Sequence, residues 1–104
     1  MAIELGYKPN KGNLILSEGA DFVTSLQEKG VTWPEDTECR LEFPDLSGVG
    51  PFAAVVTEET ATASFVLQET VTTADNIPAG SKFRIYLVKE NDFLWFYGKV
   101  VRDE

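Results

Sequence analysis

Apolar and polar positions alternate along much of this chain with a period of two, the repeat of a strand with one buried face. From Thr37 to Phe43, Cys39, Leu41 and Phe43 point one way and Glu38, Arg40 and Glu42 the other. From Thr60 to Gln68, Ala61, Ala63, Phe65 and Leu67 share a face, and Val71 extends the run. From Ser81 onward, Phe83, Ile85 and Leu87 oppose Arg84, Tyr86 and Val88. A polar turn at Glu90-Asn91-Asp92 then leads into a second run, and the two runs together predict a β-hairpin. The second run does not alternate. Phe93, Leu94, Trp95, Phe96 and Tyr97 are apolar or aromatic on both sides. A strand apolar on both faces must be covered on both, by its own fold or by another chain.

The remaining segments complete an all-β pattern. Ile3 to Lys11 reads as an extended arm or short edge strand, and Leu14-Ile15-Leu16 as a short strand. Ala20 to Lys29 fits two patterns. As a helix it would be capped by Ser17, striped by Ala20, Val23 and Leu26 and ended by Gly30; as a strand it would present Phe22, Thr24 and Leu26 on one face. Gly19 in the first turn weakens the helix, and the all-β context favours the strand. Val31 to Asp36 is a turn around Pro34, Pro44 to Pro51 a loop, Phe52 to Thr57 a strand and Glu58-Glu59 a hairpin turn. Ile77-Pro78-Ala79-Gly80 suits a type I turn with Pro second and Gly fourth. About seven short strands at turn intervals of roughly 8–12 residues predict one antiparallel β-sandwich or small barrel. The sandwich is the expected architecture: a single domain over residues 1–104 with a short N-terminal arm. Its expected core is Cys39, Leu41, Phe43, Phe65, Phe83, Ile85 and Leu87.

Composition narrows the chemistry. The chain carries 17 acidic and 9 basic residues, a net charge of -8, which argues against nucleic acid as a direct partner. There is no histidine, so the commonest general base and the commonest metal ligand are missing. Cys39 is the one cysteine; no intrachain disulfide can form, which fits a reducing cytoplasm as the place of synthesis. On the apolar side of its strand it reads as a small buried hydrophobe. The acidic runs Glu35-Asp36, Glu58-Glu59 and Glu90-Asn91-Asp92 match no calcium loop and read as solvated turns. The glycines form no phosphate cradle. No run reaches 18 apolar residues, so no membrane span is expected. The expectation is therefore a non-enzymatic protein with no catalytic residue, no cofactor and no metal. Trp33, Tyr86, Trp95 and Tyr97 could form a sugar-stacking platform, but core and sheet packing is the favoured reading of each.

Three segments together resemble a known family. They are Leu14 to Phe22, Val31 to Thr37, and Ile77 to Leu87 leading on to Trp95, Gly98 and Arg102. In this order they are similar to the LtfC/Gp6-like small β-sandwich domain of actinobacteriophage virion proteins, with Glu35 standing where the family usually has glycine after Trp-Pro. The resemblance implies a β-sandwich virion component, assembled in the host cytoplasm, and it brings no catalytic residue. The favoured role is a capsid decoration or minor capsid protein. A tail or head–tail junction module that binds a receptor or carbohydrate is the alternative. The implied partners are other virion proteins, above all the major capsid protein, and copies of the chain itself. The expected contact residues are Ile3 and Tyr7 in the arm and Phe93, Trp95 and Tyr97 on one side of the last strand, with Phe96 and Val100 turned to the core on the other.

Overall fold

The structure, a computed structural model, describes residues 9–103, so the expected arm with Ile3 and Tyr7 lies outside the described residues. Among the described residues eight strands form two sheets: β1 (Asn10–Leu16), β2 (Phe22–Gln27), β3 (Glu38–Glu42), β4 (Phe52–Ala53), β5 (Val55–Thr57), β6 (Thr62–Leu67), β7 (Lys82–Val88) and β8 (Asp92–Arg102). One sheet has five strands in the order β1-β8-β7-β3-β4, and the other has three, β2-β6-β5. All pairings are antiparallel except β1 with β8, which run parallel. The two sheets pack around one core, as a β-sandwich does. Every expected core residue is buried, and Leu14, Leu16, Trp33, Leu67, Ile77, Trp95 and Val100 join them.

The ambiguous segment is a strand. Phe22, Thr24 and Leu26 are its half-buried positions and Val23, Ser25 and Gln27 its exposed ones, the alternation that a sheet lying on a core requires. Three other boundaries differ from expectation. β1 begins at Asn10, four residues before the apolar run Leu14-Ile15-Leu16, because a parallel ladder to Phe96–Arg102 supplies its backbone partners. The Phe52–Thr57 run is not one strand. Phe52 and Ala53 pair with β3, while Val55 to Thr57 pair with β6 in the opposite sheet. Ala54 is the crossing point, and its N–H still donates to the Cys39 carbonyl at 2.8 Å. Val71 does not extend β6; it lies in a turn closed by its own N–H to the Gln68 carbonyl at 2.9 Å.

The turn before β7 is also displaced by one residue. Its closing bond runs from Ser81 N–H to the Pro78 carbonyl, at 3.2 Å, which makes Gly80 the third residue. Gly80 has φ +85°, the positive value that the third position of a type II turn demands and that glycine adopts without a steric penalty. The loop leading to this turn is tied to the end of β8 by Arg102. Its guanidinium donates to the carbonyls of Thr72 (2.7 Å) and Ile77 (3.1 Å) and to the Glu18 carboxylate (3.1 Å).

Candidate interaction surface

The apolar run in β8 is resolved by a β-bulge. Ile85 lies opposite Phe96 and Tyr86 opposite Leu94, so Trp95 is an extra residue without a cross-strand partner. One inserted residue reverses the side-chain parity of everything beyond it. Phe93 therefore pairs with buried Leu87, whereas Tyr97 pairs with exposed Arg84. The expected single face of Phe93, Trp95 and Tyr97 does not exist, and the physical reason is this bulge. Phe96 is half-buried against the core and Val100 is buried in it, as expected.

Trp95 is a core residue in this chain. Its ring meets Trp33 edge-on, with centroids 5.7 Å apart and planes at 82°, and lies 5.1 Å from Phe96. Such edge-on pairs are favoured because the positive ring edge meets the negative ring face. Trp33 Nε1–H donates to Glu28 Oε1 at 2.8 Å, and Lys89 Nζ pairs with the same oxygen at 3.3 Å. The indole bond is the main reason that the Glu28 carboxyl is held below the usual carboxylate value; Lys89 adds to it, against the opposing effect of burial. Phe93 is half-buried, with Lys89 Nζ 6.0 Å from its ring centre. Of the expected contact residues described, only Tyr97 opens to solvent, with 37% of its surface exposed.

Tyr97 stands in a basic patch that sequence reasoning missed. Alternation places Lys11, Asn13 and Ile15 of β1, Tyr97, Lys99 and Val101 of β8, and Lys82 and Arg84 of β7 on the outer face of the five-stranded sheet. Register sets Lys11 beside Tyr97 and Tyr97 beside Arg84, with Lys99 directly opposite Lys82. Lys11, Lys82, Arg84, Tyr97 and Lys99 ring a depression of about 310 Å³ whose floor is Gly98. A Cβ at Gly98 would overlap the Gly12 carbonyl oxygen, so only glycine lets β1 approach β8 this closely. Ile15 and Val101, 59% and 42% exposed, adjoin the cations. Toward β3 the same face becomes a paired surface: Arg40 bonds Glu42 at 2.6 Å and stacks over Tyr86 at 5.2 Å.

The outer face of the three-stranded sheet is different. Val23, Ser25, Gln27, Val55, Thr57, Thr62, Ser64 and Val66 occupy its outward positions, and none is charged. Val23, Val55 and Val66 are 67%, 75% and 58% exposed, and Ser25 Oγ and Ser64 Oγ share a hydrogen bond at 2.9 Å. Acidic residues stand at both ends of this face. Asp21 and Glu69 lie at one end, joined by the Glu69 N–H to Asp21 Oδ1 at 2.7 Å, and Glu58 and Glu59 form the turn at the other.

Burial pushes the Cys39 thiol up to about 12, leaving it protonated and unreactive at neutral pH. Among the described residues no three His, Cys, Asp or Glu side chains are grouped to hold a metal, and no helix is long and apolar enough to cross a membrane. No curated protein and no solved structure matches the chain. A family model does match, over residues 8–103, and it is described as an LtfC-like β-sandwich domain. With two sheets in that arrangement and a match over nearly its whole length, the chain belongs to the LtfC-like β-sandwich family.

Proposed function

We propose that this protein is a non-enzymatic structural component of a bacteriophage virion, acting as a capsid decoration or minor capsid protein. The observation that carries the reading is the family match over residues 8–103, which suggests a phage-related structural domain. The geometry supports it. The core is filled by aliphatic and aromatic side chains, and the outward faces of the two sheets bear exposed apolar groups, beside cations on the five-stranded sheet and beside hydroxyls on the three-stranded one. Surfaces of that kind suit contact with other proteins, since aromatic and apolar groups at the centre with charge at the rim are what interfaces use. The partners proposed are the major capsid protein and copies of the chain itself.

Quantitative mass spectrometry of purified particles separated into heads and tails tests this assignment. A decoration or minor capsid protein is expected on heads, in copy numbers that scale with the major capsid protein. A few copies confined to tails would replace this reading with that of a tail module.

A further inference from the structure

The cations around Gly98 are arranged against the stability of the isolated chain. Lys82 and Lys99 are directly opposed across β7 and β8, and like charges in that position repel. Lys11 and Arg84 flank them. None of the four has an ion-pair partner among the described residues. The chain has 17 acidic side chains with which to neutralise them, yet its charges are segregated instead. Four of nine basic residues are concentrated in one patch, and the rest of the molecule is correspondingly more acidic than its net charge of -8 implies.

The surface complementary to this patch is present on the same chain. The three-stranded sheet presents Val23, Val55 and Val66 at its centre and acidic residues at both ends. The five-stranded sheet presents Ile15, Val101 and Tyr97 beside its cations. Apolar centres can meet apolar centres while acidic ends meet the basic patch. We propose that the outer face of the five-stranded sheet around Gly98 docks the three-stranded sheet of a second copy of this chain, stacking the sandwiches face to back. The two surfaces are different, so the contact is heterologous and repeats from copy to copy, giving rings or filaments rather than a closed pair. This goes beyond the virion role proposed above and does not depend on it.

Sedimentation velocity of the full chain, at about 50 mM and about 500 mM salt, tests the proposal, because contacts between exposed charges are screened at the higher value. Concentration-dependent association is expected at low salt, weakening about tenfold or more at high salt. Lys82→Glu and Glu59→Lys should each lose the association alone and regain it when mixed, since the acidified patch of one meets the basic turn of the other. A melting curve shows that each variant is folded, and Lys82→Glu should fold at least as stably as the parent because it removes the repulsion with Lys99. Should it not fold, Lys99→Gln carries the same test. A chain that stays monomeric at low salt up to roughly millimolar concentration overturns the proposal. So does association that survives Lys82→Glu or Lys99→Gln, and so does a closed pair indifferent to Glu59→Lys.

Discussion

The outer faces of the two sheets are made by the same alternation of strand residues and carry opposite chemistry. On the five-stranded sheet the half formed by β1, β8 and the start of β7 holds Lys11, Lys82, Arg84 and Lys99 around Tyr97. On the three-stranded sheet the eight outward positions hold valine, serine, threonine and glutamine with no charge at all. The layers beneath also differ. β7 and β8 pair over seven positions and β1 and β8 over seven, whereas β5 joins the three-stranded sheet through three. The cations thus sit on the firmer support, the long ladders whose inward residues Phe83, Ile85, Leu87 and Val100 make up much of the core. The comparison shows how a sheet separates two demands: inward positions hold the fold, and outward positions are left free to carry a repulsive cluster.

Substitutions can break that separation or measure it. The largest effect is expected from Trp95→Ala, which removes the bulge side chain between Trp33 and Phe96; a loss of about 3–5 kcal/mol in urea unfolding is expected for so large a buried ring. A folded variant that loses less than about 1 kcal/mol would return Trp95 to the surface. Gly98→Ala comes next. Its Cβ forces β1 away from β8, and about 3 kcal/mol should be lost, with faster amide exchange expected in both strands but not in β2 or β6. An unchanged exchange pattern in β1 would show that the floor of the basic patch tolerates a side chain.

Lys82→Glu sharpens the comparison from outside. Replacing a like-charge pair with an opposite one should raise stability by roughly 0.2–1 kcal/mol at low salt, and the gain should shrink as salt is added. The matched change on the uncharged face, Val66→Thr, should stay within about 0.5 kcal/mol of the parent in the same unfolding assay. The smallest effect belongs to Glu28. Its carboxyl is held below the ordinary value of 4.5 when folded, chiefly by the Trp33 indole. Its contribution is therefore present above that value and is lost as pH falls through the lower folded value. Glu28→Gln should therefore be slightly less stable than the parent at pH 7, show a flatter fall below about pH 4.5 and converge with the parent at lower pH in the same unfolding assay.

Much of the fold was legible because burial on one side imposes a period of two. β3, β6 and β7 could be read position by position, and Phe22, Thr24 and Leu26 marked β2 as a strand. Features that depend on pairing were not legible. The bulge at Trp95 adds one residue to β8, and no local pattern distinguishes an inserted residue from a strand apolar on both faces. The sheet change at Ala54 is likewise set by which neighbour each half of the run meets. The basic patch was hidden for a related reason. Lys11 stands far in sequence from Lys82, Arg84 and Lys99, and only the parallel register of β1 on β8 brings them together. The signal that could have found it was the outward parity of Lys82 and Arg84 in β7, read alongside Lys99.

The parallel pairing of β1 and β8 has a mechanical consequence. Tension applied to the chain before Asn10 and after Arg102 pulls the two strands in opposite directions along their common axis. The load then falls on the whole seven-position ladder at once, as shear, whereas an antiparallel pair pulled from its open end would give way one bond at a time. Forced unfolding is governed by the rate of crossing that barrier and not by equilibrium stability. A domain of modest size without a disulfide thereby gains a route to resisting stretch, through the direction in which its outermost strand runs.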